Sequence, residues 1–297
     1  MDGILIVDKP AGCTSADVVR LVKRRLRVKV GHLGTLDPFA TGVLPLCVGD
    51  GTKIAQFLNV ADKVYVGCIR LGVATDSGDR TGRVTREVAV PAFTPPALDL
   101  IAQRLSGPQM QTPPMYSAIK QSGVPLYKLA RAGKEVARDA RPIVIHRLVL
   151  RRGGDAAIEF EVHCSKGTYV RVLAENIGAA LGTAAHVESL RRTAFGTFTL
   201  AEAVSMEDIE AGRVESLIGL RAALRHLREI AIDAECARRA RSGQEAALRD
   251  LPAAEAGEAA TLIGPDGDLV AVVVATPQHR WHFERVFGVA SSPATRA

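Results

Sequence analysis

Residues 31–45, with the sequence GHLGTLDPFATGVLP, say more about the fold and chemistry of this chain than any other stretch of similar length. They hold one carboxylate, Asp37, directly before Pro38, which lacks an amide donor and restricts Asp37 to extended or turn geometry. The stretch also holds three glycines, which let a backbone approach a ligand closely: Gly31, Gly34 and Gly42. An ordinary Asp-Pro turn would account for Asp37 taken alone. The pattern predicts an acid held on a fixed loop.

The composition is that of a globular protein with a basic surplus. The formal net charge is +6, and arginine carries most of the positive charge. Because the arginine fork matches phosphates and stacks on bases, a polyanionic partner is favoured over an acidic protein surface. Enzymes that bind small anions can be equally basic, so the charge alone leaves both classes open. The 297 residues suffice for one large and one small domain.

The cysteines and the apolar runs indicate where the protein works. The five cysteines are scattered and form no C-x-x-C pair, which argues against a disulfide framework and a zinc ribbon. Residues 1–10 do not resemble a signal peptide, and the longest apolar run, residues 269–275, is too short to span a bilayer. We therefore expect a soluble cytoplasmic protein with reduced thiols. The chain also lacks a P-loop and a dinucleotide-binding glycine pattern.

The first elements are a strand and a basic amphipathic helix. Residues 4–7 (ILIV) predict a buried strand, and Thr14 with Asp17 predicts a capping box for a helix that runs to about Arg27. One side of this helix is apolar. The other side is basic, with Arg20, Lys23, Arg24, Arg25 and Arg27. A solvated helix face and an RNA contact explain these charges equally well.

The middle of the chain predicts strands and helices without a regular βαβ rhythm, which indicates an α+β fold. Strands are expected at 64–71 and 158–164, and helices at 99–105 and from about 168 to Gly182. Three prolines are expected to exclude regular structure between them: Pro108, Pro113 and Pro114. Residues 121–141 are basic and polar, so we expect a mobile excursion there.

The texture of the sequence changes after about residue 228. A helix is predicted at 233–249, and a β-hairpin at 262–274 around the turn at 265–267. Residues 281–287 alternate aromatic and polar as a last strand. We predict a domain boundary there, with a large domain at 1–228 and a small β-rich domain at 229–297, about the size of a PUA module. Its aromatic residues are expected to fill a small barrel core rather than to stack on RNA bases.

The stretch at 31–42 resembles the active-site loop of the TruB family of tRNA pseudouridine synthases, whose pattern is close to Gly-His-x-Gly-x-Leu-Asp-Pro-x-Ala-Thr-Gly. Further segments in the same order resemble that family, so that the similarity extends over about residues 3–200. They are GILIVDKP at 3–10 with Thr14 and Ser15, DKVY at 62–65, YSAIK at 116–120, LYKLAR at 126–131, HCSKGTYVR at 163–171 and HVESLRR at 186–192.

The resemblance implies a reaction and a set of catalytic residues. The family cuts the N-glycosidic bond of a uridine and rejoins the base through C5, which needs no metal and no redox cofactor. Asp37 would be the nucleophile, attacking either ribose C1′ or uracil C6, and Arg171 would hold its charge. Tyr65 would stack on the base and could accept a proton. Tyr169 would hold the base or ribose, and Leu190 would form an apolar wall.

The resemblance also implies how the RNA is bound. A stacked uridine must leave the helix before Asp37 can reach it, and His32 would occupy the space that the flipped base leaves. We add Lys9 and Lys53 as substrate contacts. Backbone phosphates would be contacted by Lys23, Arg24, Arg131 and Arg141. The insertion at about 113–141 would close over the tRNA arm.

These expectations combine into one leading hypothesis and two alternatives from other classes, and a related synthase with another uridine target also remains open. The leading hypothesis is a monomeric tRNA pseudouridine synthase acting on the T-loop uridine at tRNA position 55. Its expected fold is a mixed, mainly antiparallel sheet domain with flanking helices and a C-terminal PUA-like domain. The first alternative is an RNA-binding protein that helps tRNA to fold, and the two activities are compatible. The second, a metal-dependent hydrolase built on His32 and Asp37, is disfavoured because no further ligands lie at metal-binding spacing.

Overall fold

The computed structural model describes residues 1–121, 123–214 and 217–288. The strands are β1 (Gly3–Lys9), β2 (Val30–His32), β3 (Thr41–Val48), β4 (Lys63–Leu71), β5 (Val73–Thr75), β6 (Val84–Glu87), β7 (Gly107–Gln111), β8 (Lys120–Gln121), β9 (Val124–Pro125), β10 (Arg141–Gly154), β11 (Ala157–Cys164), β12 (Ala185–Phe195), β13 (Phe198–Thr199), β14 (Arg228–Ala231), β15 (Ala259–Ile263), β16 (Leu269–Ala275) and β17 (Trp281–Val286). The helices are α1 (Ser15–Leu26), α2 (Ala55–Leu58), α3 (Pro95–Arg104), α4 (Leu126–Arg131), α5 (Val170–Ala180), α6 (Met206–Glu210), α7 (Leu220–Ala223) and α8 (Ala234–Arg241). Short 3₁₀ turns lie at Gly49–Lys53, Leu200–Glu202 and Glu245–Leu248.

Two sheets organise the chain. The larger has the strand order β1-β3-β12-β4-β11-β10-β7, with β2 paired to β3 and β13 paired to β12. Its neighbours are antiparallel except for the β3–β12 pair. The smaller sheet has the order β14-β15-β16-β17. Helices α1, α3 and α5 pack on the larger sheet, so the predicted α+β class with a small C-terminal β domain is confirmed.

The best local predictions rest on clear side-chain signals. Thr14 and Asp17 form the expected capping box at the start of α1. The helix ends where Arg27 adopts a left-handed conformation, with φ at 55°. Strand β11 buries alternate residues, as its apolar–polar alternation predicts.

A shared hydrophobic core links the two sheets. Ile4 and Ile6 on β1 belong to one buried cluster with Ile263, Val272 and Phe287 from the C-terminal sheet. A separate cluster lies inside the C-terminal part, and a third lies between the larger sheet and its helices. The small β domain is therefore packed against the face of β1 that carries Ile4 and Ile6, rather than joined to it only by a linker.

The predicted effect of the prolines was wrong at one position. Pro108 lies within β7, which is an edge strand paired only with β10. An edge strand tolerates proline because one side of its backbone needs no partner. The helix predicted at 99–105 begins earlier, at Pro95, where a proline suits the first helical turn.

The helix predicted at 233–249 was also too long. Helix α8 ends at Arg241, and Gly243 then takes a positive φ of 69° before the 3₁₀ turn at Glu245–Leu248. Glycine adopts this conformation without a steric cost, which ends the helix.

The region at 113–141 forms its own small structure. Strands β8 and β9 make a two-stranded sheet separate from the larger one, and α4 follows directly. Most of its side chains are exposed, but Leu126 is buried and anchors the segment. Ser122 of this region lies outside the described residues.

The aromatic residues of the last strand lie mostly in the core, as predicted. Trp281 is buried, and its indole Nε1 donates a hydrogen bond to the carbonyl oxygen of Pro252 at 2.8 Å. Residues 289–297 of the predicted small domain lie outside the described residues. No helix in the described part of the chain is long and apolar enough to cross a membrane.

Candidate active site

Lys9 holds the loop that carries Asp37. It is fully buried, and its Nζ donates hydrogen bonds to the carbonyl oxygens of Pro10 and Cys13 at 2.8 Å each and of Pro38 at 3.4 Å. These three acceptors use the donors of the ammonium group. The expected contact of Lys9 with substrate is therefore corrected, since the side chain positions the loop from inside the protein.

Two glycines of the loop serve close packing within the protein. Gly34 and Gly42 have positive φ values of 55° and 104°. A Cβ atom on Gly34 would lie 2.6 Å from the ring of Phe195, and one on Gly42 would lie 2.1 Å from the carbonyl oxygen of Arg192. Both close approaches are to β12 rather than to a ligand. The glycines therefore seat the Asp37 loop against the centre of the larger sheet.

Asp37 forms an ion pair with a buried arginine from the start of α5. Arg171 Nε lies 2.9 Å from Asp37 Oδ2, although 134 residues separate them in sequence. The guanidinium also donates to the carbonyl oxygens of Ser77 at 2.8 Å and Tyr116 at 2.7 Å. Only 5% of the Arg171 side chain is exposed. The carboxylate and the two carbonyl acceptors together hold this buried guanidinium in one position.

The surroundings of Asp37 shift the pKa of its carboxyl group in opposite directions. Burial raises the pKa of Asp37, and the nearby carboxylate of Asp79 raises it further. The charge of Arg171 and, to a smaller extent, that of Lys9 lower the same pKa. Nucleophilic attack by Asp37 would need the carboxylate in its anionic form, and the guanidinium of Arg171 favours that form.

Asp37 and Arg171 form part of the wall of a cavity of about 340 Å³, which we call the tyrosine cavity. This volume lies in the range of small-molecule sites. Tyr65, Tyr169 and Leu190 line it, so the structure brings the three predicted base contacts together with the predicted nucleophile. Its other lining residues are Gly34, Thr35, Leu36, Lys63, Ser117, Ala118, Ile119, Gly167, Thr168, Val170 and Arg192.

The two tyrosines are neutral hydrogen-bonding and stacking groups at neutral pH. Tyr65 is buried on β4, and burial raises the pKa of its phenol. Burial also raises the pKa of Tyr169. The Tyr169 backbone is fixed by Gln111, whose side chain accepts from its amide at 2.7 Å and donates to its carbonyl at 3.2 Å.

A second cavity of about 660 Å³, which we call the loop cavity, opens on the other side of Asp37. His32 and Arg131 line it, together with Arg171. Burial and the charge of Arg192 lower the pKa of His32, so its imidazole is neutral at pH 7. Its Nδ1 is buried without a hydrogen-bond partner among the described residues. The position suits the predicted contact with RNA beside a flipped nucleotide.

The other predicted RNA contacts lie outside both cavities. Lys23 and Arg24 are exposed near the end of α1, and Arg141 is exposed at the start of β10. Lys53 pairs with Asp50 at 2.8 Å and lies over the ring of Phe287, beside the C-terminal sheet. This position gives no support to its expected role as a substrate contact.

Sequence analysis missed three charged residues of the site. Asp79 is 4% exposed and lies 3.9 Å from Arg171, within a segment that reads only as a turn. Arg192 is fully buried, and its two terminal nitrogens lack partners among the described residues where it lines the tyrosine cavity. Lys63 lines the same cavity, and burial lowers its pKa to about 8. Lys63 and Arg192 fall within quoted motifs, DKVY and HVESLRR, but no spacing rule singles them out.

The arrangement suits chemistry on a single extruded base. An aspartate paired with a guanidinium lies in the wall of a cavity that two tyrosines and a leucine also line, and basic side chains line both cavities. Combined with a mixed, mainly antiparallel sheet, this is the pattern of a pseudouridine synthase that uses an aspartate.

Comparison with known proteins identifies the family. Residues 20–170 match the TruB family pseudouridylate synthase N-terminal domain, and residues 171–230 match the tRNA pseudouridylate synthase B C-terminal domain. A tRNA pseudouridine synthase B of Geotalea uraniireducens is 46% identical over 257 residues, which cover 84% of this chain and 83% of the relative. That of Cupriavidus metallidurans is 44% identical over 91% of this chain and 89% of the relative. The chain belongs to the TruB family of pseudouridylate synthases.

Solved structures show the same fold at lower sequence identity. An H/ACA RNP bound to a substrate RNA containing 2′-deoxyuridine includes a chain with a TM-score of 0.73 and 23% identity, covering 96% of this chain and 85% of that chain. A chain of a Cbf5-Nop10-Gar1 complex has a TM-score of 0.69 and 24% identity, covering 96% of this chain and 84% of that chain. These matches extend the fold assignment over the C-terminal sheet, which continues beyond residue 230.

Proposed function

We propose that this protein isomerises the T-loop uridine at tRNA position 55 to pseudouridine. The bond between N1 and ribose C1′ breaks, the base rotates, and a bond from C5 to C1′ forms. The proton on C5 is lost to solvent and N1 gains one, so no oxidant, metal or cofactor is consumed. The observation that carries this proposal is the Asp37–Arg171 pair at the wall of the tyrosine cavity.

Asp37 acts as the nucleophile in this proposal, at either C1′ or C6. Arg171 keeps the carboxylate charged despite its burial and restricts it to one orientation through its bonds to Ser77 and Tyr116. Preorganised charge of this kind costs no rearrangement during the reaction.

The target base is held by stacking and by shape. Tyr65 and Tyr169 offer aromatic faces, and Leu190 closes the cavity on an apolar side. Extrusion of a base costs a few kcal/mol. Stacking on the tyrosines and contacts to neighbouring phosphates offset that cost, with His32 filling the space next to the flipped nucleotide.

Recognition of the tRNA arm falls to exposed basic groups around the cavities. Arg131 lines the loop cavity, and Lys23 and Arg24 extend the basic surface along α1. We propose that the insertion at about 113–141 closes over the arm. We also propose that residues 1–228 form the catalytic domain and residues 229–297 an RNA-binding PUA-like domain. The protein would act as a monomer in the cytoplasm, where the tRNA supplies the large binding partner.

The test is tritium release from a T-arm stem-loop labelled at C5 of its uridine. Wild-type protein is expected to release tritium, and Asp37→Asn is expected to bind the RNA without releasing any. A matched control is Asp50→Asn, which alters a half-exposed aspartate paired with Lys53 outside both cavities. Equal release by wild type and Asp37→Asn would show that another residue is the nucleophile.

A second activity, assistance of tRNA folding, is compatible with the same surface. Binding that opens the tRNA elbow to extrude a base also lets a misfolded arm rearrange. The exposed basic groups of α1 and the insertion support this activity without requiring Asp37. Asp37→Asn is therefore expected to speed the refolding of misfolded tRNA as well as wild type does. Failure of wild type to speed refolding would reject the second activity, and a loss of refolding in Asp37→Asn alone would show that the activity depends on Asp37.

A further inference from the structure

Three side chains with metal-binding atoms meet on one face of the larger sheet. Asp62 directly precedes β4, His163 lies near the end of β11, and His146 lies in β10. These strands are adjacent in the order β4-β11-β10. One ligand atom from each of the three residues lies within 4.8 Å of the other two.

The cluster lies on the face of the sheet opposite the tyrosine cavity. His163 pairs with Val64 in the ladder, and the neighbouring Val162 pairs with Tyr65. Because successive strand residues point to opposite faces, His163 points away from Tyr65 and its cavity. None of the three residues lines either cavity at Asp37.

A β-bulge places the second histidine in the cluster. The register between β10 and β11 shifts between Ile145 and Arg147, so that His146 is the extra residue of the bulge. His146 and Arg147 are consequently both exposed, although they are consecutive in a strand. Bulges redirect side chains. Here the His146 ring lies 4.8 Å from the His163 ring, centroid to centroid.

The two separations from Asp62 fit a tetrahedral metal site, and the two imidazole ligand atoms lie within 4.8 Å of each other. His146 Nε2 lies 3.1 Å and His163 Nε2 lies 3.7 Å from Asp62 Oδ2. Ligand bonds of about 2.0–2.1 Å to zinc place tetrahedral ligand atoms about 3.3 Å apart. The two observed separations bracket this value, and all three side chains are partly exposed.

We propose that Asp62, His146 and His163 bind one divalent transition-metal ion, with zinc as the best match. Two imidazoles and one carboxylate are borderline ligands that zinc accepts, and a fourth position remains open to water. Magnesium and calcium prefer sets made entirely of oxygen atoms. The sequence analysis predicts no metal site, because Asp62 and His163 lie 101 residues apart in the sequence.

The site would act on the sheet rather than on the uridine. A bound ion would join the start of β4 to β10, two strands away, across β11. Asp62 is followed by Lys63, which lines the tyrosine cavity on the other face of the sheet from the Asp62, His146 and His163 cluster. The ion would therefore fix the end of the strand that carries Tyr65.

Nearby groups provide controls for the ligand set. His226 lines a cavity with Asp62 and His163. Its Nε2, however, lies 3.2 Å from the carbonyl oxygen of Phe57, at hydrogen-bond distance. We do not count it as a ligand. The His226→Ala variant therefore removes a neighbouring imidazole and should leave metal binding unchanged.

The test titrates Zn²⁺ into chelator-treated full-length protein at pH 7.5. The readouts are the heat of binding and the temperature of thermal unfolding. Wild type and His226→Ala are expected to bind one ion equally well. Asp62→Asn, His146→Ala and His163→Ala are each expected to weaken binding at least 10-fold, because loss of even an outer-shell partner of a metal ligand typically costs about 10–100-fold in affinity. Circular dichroism of each variant checks that it is folded.

A second measurement distinguishes this site from the free cysteines. Co²⁺ in place of Zn²⁺ is expected to give the visible absorption of a nitrogen- and oxygen-bound ion, without a thiolate charge-transfer band. Zinc binding that is unchanged in both histidine variants, or a thiolate band in the cobalt protein, would overturn the proposal. Failure of wild type to bind Zn²⁺ would overturn it as well.

Discussion

Replacement of Arg171 by lysine keeps the positive charge and removes the planar fork. In the structure the guanidinium contacts Asp37 and donates to the carbonyl oxygens of Ser77 and Tyr116. A lysine ammonium is a single point charge on a different stem and cannot reach all three acceptors in this geometry. We expect Asp37 to lose its fixed orientation even though its partner is still a cation.

The size of the effect follows from the acceptors that lose their donor. A buried acceptor without a partner costs about 1–3 kcal/mol. Ser77 and Tyr116 are only half-buried, so water can replace part of the loss. We therefore expect the free energy of unfolding to fall by about 2 kcal/mol. The rate of isomerisation is expected to fall about 100-fold, since a displacement of about 1 Å at a reacting group has that effect.

The pH dependence of the rate provides an independent test of the role of Arg171. Burial raises the pKa of Asp37, and the Arg171 charge is the largest influence that lowers it. A carboxylate with a raised pKa is protonated over a wider acidic range, so activity that needs the anion is lost as pH falls through that pKa. A weaker cationic partner raises the pKa further. The acid limb of the Arg171→Lys rate profile is therefore expected to lie at higher pH than that of wild type.

Tritium release from the T-arm stem-loop between pH 4 and pH 9 measures the rate, and urea unfolding measures the stability. The matched control is Arg191→Lys, which alters an arginine paired with Asp8 at 2.7 Å with 38% of its side chain exposed. Such a pair is worth at most about 1 kcal/mol. Arg171→Lys activity within twofold of wild type, with an unmoved acid limb, would refute the assigned role of Arg171.

Three further predictions concern other parts of the protein. Arg192→Met is expected to lower kcat/KM in the tritium assay at least 10-fold while urea unfolding shows a folded protein, because it removes the unpartnered nitrogens beside the tyrosine cavity; unchanged kinetics would reject a substrate role for Arg192. Exchange of Lys23 or Arg24 for glutamine is expected to reduce the slope of log affinity against log salt by about 0.7–0.9 each, as one lost phosphate contact does. An unchanged slope would indicate that the α1 charges are only a solvated face. Trp281→Phe is expected to destabilise the fold by about 1–2 kcal/mol, since the bond to Pro252 is lost, with tRNA affinity within twofold of wild type; a large loss of affinity would instead indicate that Trp281 stacks on RNA.

Local chemistry explains which elements were predictable. The capping box at Thr14 and the alternation of β11 depend on neighbours in sequence, and both predictions are confirmed. Pro108 was misjudged because its tolerance depends on β7 lying at the edge of the sheet, which a single strand does not reveal. Gly243 ended a predicted helix through a conformation that glycine permits but does not require.

The charged residues of the site divide in a similar way. Asp37 was predictable because its proline and glycine neighbours form a recognisable loop, and Arg171 because its motif resembles that of the family. Asp79 and Arg192 were not, since each matters through burial beside a partner that lies far away in sequence. The same holds for the cluster of Asp62, His146 and His163, in which a bulge in β10 decides where one imidazole points.

By itself the sequence determined the family, the position of the proposed nucleophile and some of the strands and helices, among them β1, β4, β11, α1 and α5, because these follow from short motifs and from the periodicity of neighbouring side chains. Tertiary structure alone decided that Lys9 supports the loop from within, that Arg171 is fixed by Ser77 and Tyr116, and that the C-terminal sheet shares a core with β1. The physical reason is that burial, desolvation and ion pairing depend on which distant segments meet. Sheet order and strand register determine which segments come into contact, and neither is encoded in any one segment.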